Sequence, residues 1–150
     1  MVSIVLCYYF IMKNTCFNIP GNYLENDGLI FKNQFHVVFC PKYKRPVLKE
    51  GIAKRLSYIL YAEAQKMHVH ILSLDIQSDH VHMSISFDPR LSLHKVIKQF
   101  KAVSSHILRE EFPELVSKLP SLWTRSYLSS TDEVLDESVI TEYLLSQKNK

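Results

Sequence analysis

A chain of 150 residues, 47% hydrophobic and 22% charged, has the make-up of one globular domain with a real core. Its net charge of +3 is compatible with a nucleic-acid partner without requiring one. The scattered Cys7, Cys16 and Cys40 suggest neither a disulfide framework nor a thiolate zinc site, and Gly21, Gly28 and Gly51 cannot build a phosphate-binding or dinucleotide loop. The expectation is a cytoplasmic protein that works without a nucleotide cofactor.

Met1 to Met12 is almost wholly apolar, yet shorter than the roughly 20 residues a membrane helix needs. It lacks a basic leader and a small-residue cleavage site, so neither secretion nor membrane insertion is expected. Asn14 to Asp27 is polar and turn-rich, broken by Pro20-Gly21. Residues 1–33 read as an appendage, either an extra strand or sequence upstream of the natural start.

Gln34 to Cys40 is aromatic and β-branched, and Pro41 stops it, which predicts a strand. Lys42, Tyr43, Lys44 and Arg45 follow on a loop, three cations around one ring. Such a loop suits phosphate clamping and base stacking, and equally suits plain solvation. Lys49 to Met67 predicts a helix whose apolar stripe is Ile52, Leu56, Ile59 and Leu60. His68 to Gln77 alternates as a strand, with Leu72, Leu74 and Ile76 on one face, and Ser78-Asp79 turns it into a hairpin.

The returning strand carries Asp79-His80-Val81-His82-Met83. Side chains alternate with period two, so Val81, Met83, Ile85 and Phe87 face the core and both imidazoles share the other side. Two histidines so placed can hold one divalent ion if other groups complete the shell; a half-exposed strand with two polar histidines is the plainer alternative.

Leu93 to Phe112 predicts a second helix, with Ser92 as N-cap and Val96, Phe100, Val103, Ile107 and Leu108 as its buried stripe. Lys95, Lys98 and Lys101 lie on its other faces, spaced to follow phosphates or simply solvated. Pro113 and Pro120 bracket a linker, Leu122 to Ser129 reads as a fourth strand, and Asp136 to Gln147 as a helix capped by Asp136. Strand, helix, strand, strand, helix, strand, helix is a doubled split β-α-β arrangement. The expected class is therefore α+β: a ferredoxin-like antiparallel sheet with helices on one face, the histidines on the open face, and a C-terminal helix carrying Tyr143. On that helix Tyr143 and Gln147 are one turn apart: Gln147 offers a carboxamide oxygen suited to magnesium or manganese and Tyr143 a phenol, while a core or dimer contact for the tyrosine and a surface position for the glutamine are the plainer alternatives.

The segments Phe39 to Leu48, Asp79 to His82, Glu111 to Leu115, Leu122-Trp123 and Glu142 to Gln147 occur in register. Together they resemble the HUH-type single-tyrosine transposases of small insertion sequences that move as single-stranded DNA. The similarity runs from Gln34 to Gln147, so residues 34–150 read as the HUH transposase domain. The resemblance implies a cofactor, Mg2+ or Mn2+, bound by His80, His82 and Gln147, and a catalytic Tyr143 that forms a 5′-phosphotyrosine. It implies a homodimer acting on single-stranded DNA with subterminal hairpins, with Lys42, Tyr43, Lys44, Arg45, Lys95, Lys98 and Lys101 as candidate DNA-binding residues. A relative that binds hairpin DNA without cutting it is the second reading. One departure stands out: where the family has a glycine pair before the tyrosine helix, this chain has Ser130 to Val134, which should restrict that link.

Overall fold

The computed structural model describes residues 21–150, so the apolar Met1 to Met12 stretch lies outside the described residues. The chain divides into two units, Met1–Lys32 and Asn33–Lys150. In the first, β1 (Leu24–Asn26) and β2 (Leu29–Phe31) form an antiparallel hairpin with Leu24 opposite Phe31. Asp27 (φ 52°) and Gly28 (φ 77°) close it. Positive φ at both central residues is what a two-residue hairpin turn demands, and Asp-Gly supplies it at low steric cost.

The second unit holds β3 (Phe35–Phe39), α1 (Glu50–Lys66), β4 (Val69–Ile76), β5 (Val81–Phe87), α2 (Leu93–Glu111), α3 (Pro113–Lys118), β6 (Leu128–Ser130) and α4 (Glu137–Ser146). Its four-stranded sheet runs β4-β5-β3-β6, every neighbouring pair antiparallel. First and third strands of the repeat lie at the centre, which is the ferredoxin-like order expected.

The main core joins one sheet face to α1 and α2. Val37, Phe39, Val81, Met83, Ile85 and Phe87 meet Leu56 and Leu60 of α1 and Val96, Ile97 and Phe100 of α2, all buried. The helical and strand periods seen in the sequence thus converge on one layer interface. Glu63 is the polar exception on α1: it is buried, and Gln99 of α2 donates to its carboxylate at 2.9 Å. Ser92 does occupy the N-cap position of α2, although its hydroxyl makes no capping bond. Asp136 caps α4 as expected, accepting from the Ser138 N–H at 2.8 Å.

Four expectations need correction. The opposite sheet face is not open, because Val38 and Cys40 of β3 pack there with Leu135 and Leu144, and with the partly buried Ile140 and Tyr143 of α4. In β4, Leu72 is 49% exposed rather than facing the core: the register slips between Ile71 and Ser73, and that bulge exchanges the faces of the residues on either side. The stretch between Pro113 and Pro120 is not a linker alone but contains α3, which begins with proline at its first turn, where the missing N–H costs nothing.

The last strand is also shorter than Leu122 to Ser129. Trp123 makes a single bridge to Pro41, and pairing resumes only where Leu128 meets Val38. Between these points four residues, Thr124 to Tyr127, oppose two, Phe39 and Cys40. The strand bows out there, and its side chains are redirected.

Candidate active site

His80 immediately precedes β5 and His82 is its second residue. The His80 Nδ1 lies 2.8 Å from a carboxylate oxygen of Asp79, whose other oxygen is 3.1 Å from the Lys44 Nζ. A carboxylate only accepts, so Nδ1 carries the hydrogen and Nε2 is left bare for a ligand. Burial would push the Asp79 carboxyl up, but the hydrogen bonds from His80 and Lys44 and their charges outweigh it and hold it below its ordinary value.

His82 lies opposite Val38 in the sheet, and its Nε2 is 3.4 Å from Nδ1 of His36. Burial first, and then the neighbouring His36, lower its pKa, which favours the neutral imidazole that a metal needs. Sequence reasoning misses His36. Its signal is parity: Val37 and Phe39 face the core, so His36 shares the other face with the histidine across the strand pair.

Tyr143 and Gln147 come together as their spacing on α4 suggests. The Ser126 Oγ is 2.7 Å from Gln147 Oε1 and 3.1 Å from the Tyr143 hydroxyl. One hydroxyl has one hydrogen. Ser126 therefore donates to Gln147 and accepts from the phenol. The orientation of the amide follows from Ser146, whose hydroxyl donates to the Tyr143 carbonyl at 2.6 Å and so can only accept from Gln147 Nε2, at 2.8 Å. Gln147 is buried, at 2% exposure. Burial pushes the Tyr143 phenol above its ordinary pKa, and the Ser126 hydrogen bond opposes this only in part.

Among the described residues, no three His, Cys, Asp or Glu side chains are grouped to hold a metal ion. Two imidazoles and a carboxamide oxygen are nevertheless a suitable donor set for Mg2+ or Mn2+. His80 with a bare Nε2 and His82 biased to neutrality fit that role, while the Gln147 oxygen faces Ser126 in this arrangement.

The basic candidates separate into different environments. Lys44 is ion-paired to Asp79, and Lys42 lies over the Tyr43 ring, 5.1 Å from its centroid. Tyr43 and Lys44 both take positive φ, and the Tyr43 ring and Arg45 are exposed. Lys95 and Lys98 are exposed on α2. Lys101 is not on the same solvated stripe: it is half-buried, donates to the Ser126 carbonyl at 2.9 Å, and burial lowers its pKa to about 8. Lys98, Lys101 and the exposed Arg125 line a groove of about 380 Å³ between α2 and the bowed segment. Arg125 is a further basic group there that helical spacing could not reveal, because it lies on the bulge.

The sheet is ferredoxin-like, with His82 on β5, His80 just before it, and the helix that carries Tyr143 packed over the face of His82. The family of IS200-like transposases matches residues 29–147. The chain belongs to that family. It is 27% identical over 134 residues to the ISDra2 transposase TnpA of Deinococcus radiodurans, covering 88% of this chain and 96% of that one. It is 30% identical over 100 residues to the transposase of insertion sequence IS200 from Salmonella typhimurium, covering 65% of this chain and 66% of the relative. A solved Deinococcus radiodurans R1 structure described as a transposase superposes with TM-score 0.76 at 25% identity, covering 85% of this chain and 99% of that one. A REP-associated tyrosine transposase bound to a REP hairpin shares the fold, with TM-score 0.52 at 10% identity over 81% of this chain and 68% of its own. No helix among the described residues is long and apolar enough to cross a membrane.

Proposed function

We propose that this transposase cuts and rejoins single-stranded DNA with Tyr143 as nucleophile, acting on subterminal hairpins as a homodimer. One observation carries the reading: in a chain of this family, Tyr143 and Gln147 share one hydroxyl, and Tyr143 packs on the sheet face that carries His82.

In this reaction the Tyr143 oxygen forms a bond to phosphorus as the bond to the 3′-oxygen breaks. The phenolic proton goes to solvent, the 3′-oxygen gains one and leaves as a free 3′-hydroxyl, and the strand on the 3′ side of the cut stays on the protein through its 5′-phosphate, as a 5′-phosphotyrosine. The phosphodiester bond is conserved, so a second 3′-hydroxyl can reverse the step and join strands without an energy source. A divalent metal held by His80, His82 and Gln147 would supply the positive charge that stabilises the developing oxyanions. Asp79 orients His80, and Lys44 balances the charge of that carboxylate. Because burial disfavours the phenolate, Tyr143 ionises readily only when positive charge is close by.

The test is a covalent-adduct assay with labelled single-stranded DNA from both flanks of the gene, with Mg2+ or Mn2+, resolved on a denaturing gel. A metal-dependent protein–DNA band is expected from the wild type and none from Tyr143→Phe. His80→Ala should lose the band while hairpin binding on a native gel persists. Binding without any wild-type band would instead indicate a relative that only binds hairpin DNA.

A further inference from the structure

The bow at Thr124 to Tyr127 interrupts a strand that would otherwise run on beside β3, and it places one small polar residue between α2 and α4. The carbonyl of Ser126 accepts from Lys101 at 2.9 Å and from the Thr124 hydroxyl at 3.3 Å. Its hydroxyl faces the other way, to Gln147 Oε1 at 2.7 Å and the Tyr143 hydroxyl at 3.1 Å. A β-bulge re-aims side chains in this manner, and a regularly paired residue would not reach both helices.

We propose that Ser126 is a positioning residue for strand transfer, its one hydroxyl holding the Tyr143 phenol and the Gln147 carboxamide as a pair while Lys101 anchors its backbone. The inference rests on the reading of Tyr143 as nucleophile. The phenol and the carboxamide sit one turn apart, with Gln147 at the C-cap of α4; Ser146 holds the carboxamide nitrogen but bonds only the backbone of Tyr143, so nothing in the helix itself correlates the two groups. A shared hydrogen-bond partner does, because the hydroxyl must lie within reach of both. The partner is in turn held from α2 by Lys101, whose ammonium is half-buried and lies 5.8 Å from the Phe39 ring centroid. Three elements thereby fix the direction of one phenol. Such fixing matters for displacement at phosphorus, where a misplacement of about 1 Å far from the chemistry can cost a hundredfold in rate.

The arrangement also distinguishes Ser126 from a residue that merely fills space. Alanine keeps the backbone bonds to Lys101 and Thr124 and removes only the hydroxyl. Threonine keeps the hydroxyl and adds a methyl group. The two variants therefore separate hydrogen bonding from packing.

The experiment uses the full chain in two measurements. In the first, the protein is labelled at tyrosine Cζ, free of metal and DNA, and the Tyr143 resonance is identified by its loss in Tyr143→Phe. Ser126→Ala should shift that resonance and Ser126→Thr should leave it near the wild-type position. In the second, single-turnover adduct formation is followed with saturating hairpin DNA and Mg2+. Ser126→Ala should slow it about tenfold or more, with hairpin affinity within about threefold of wild type, and Ser126→Thr should restore most of the rate. An unmoved resonance in Ser126→Ala overturns the inference, whatever the rate. So does a moved resonance with an unchanged rate, or a slow Ser126→Thr that retains the wild-type resonance. Absence of any Tyr143-dependent adduct from the wild type would instead overturn the nucleophile assignment, and with it a positioning role in that step.

Discussion

His80 and Asp79 are adjacent in sequence and their side chains bond to each other, Nδ1 to Oδ1 at 2.8 Å. The aspartate decides which imidazole nitrogen is bare. Replacing it by asparagine removes the obligatory acceptor and allows the ring to present either nitrogen. Asp79→Asn should therefore weaken metal affinity by about 10-fold to 100-fold while the fold persists. Titration of adduct formation with Mn2+ would measure the change; an unaltered half-saturating concentration would remove Asp79 from the site.

The same carboxylate predicts an acid limit. Its folded pKa lies below the ordinary value because His80 and Lys44 together outweigh burial. A depressed carboxyl contributes stability above its unfolded pKa, near about 4, and loses that contribution as pH falls towards the folded value. Urea midpoints measured from about pH 6 down to about pH 3 should fall more steeply for the wild type than for Asp79→Asn.

Lys44 and Lys98 are both cations near the site, and they should behave differently. Lys44 is neutralised locally by Asp79 at 3.1 Å, whereas Lys98 is exposed and lines the groove with Arg125. Removing one cation–phosphate pairing lowers the dependence of log K on log salt by about 0.7 for a single strand. Lys98→Gln and Arg125→Gln should each reduce the slope by about that amount. Lys44→Gln should change it little and disturb metal affinity instead. Filter binding across a salt series would separate the two behaviours.

Much of this architecture is legible from periodicity, and the parts that are not have specific reasons. The stripe of α1 and the alternation of β5 are set by burial on one face, so they survive into the structure residue for residue. The histidine pair is legible for the same reason. Coverage of the second sheet face had a faint signal in Ile140 and Leu144, four apart on α4, but the charged and polar neighbours conceal it. The hairpin at Asp27-Gly28 is visible in principle, since that dipeptide favours a two-residue turn; the short flanking strands weaken the signal. The bulges at Leu72 and at Thr124 to Tyr127 are different in kind. They depend on which residues find partners across the sheet, and no local propensity encodes that. Ser126 and Arg125 owe their positions to such a bulge. The glycine-free link at Ser130 to Val134 needs no positive φ, consistent with its composition.

Leu56 tests the main layer. It is fully buried on α1, at the centre of the stripe against β3 and β5. Leu56→Ala should cost about 3 kcal/mol, the middle of the usual range for a buried leucine that leaves a cavity. Denaturant unfolding monitored by Trp123 fluorescence would measure it, since Trp123 belongs to the same cluster. A loss under about 1 kcal/mol would mean the layer collapses to fill the space.

Lys101 offers the clearest alkaline signature. Its pKa falls from an ordinary 10.5 to about 8, chiefly because burial disfavours the ammonium, with Cys40 acting weakly in the other direction. In the unfolded chain the lysine stays protonated to higher pH. Between the two values the unfolded state binds more protons than the folded state, so folding stability rises with pH across that window. Below about 8 both states are protonated and the full penalty of the buried charge applies. Lys101→Met removes the penalty together with its pH dependence, but it also removes the donor to Ser126. The variant should therefore show a flatter stability profile between about pH 8 and about pH 10 than the wild type, and a slower adduct-forming step at every pH. The Cys40 thiol titrates in the same range and its charge interacts with Lys101, so both proteins carry Cys40→Ala to keep that thiol out of the comparison. Parallel profiles would mean that the ammonium is solvated in the folded protein, and the anchoring of Ser126 through Lys101 would then have no basis.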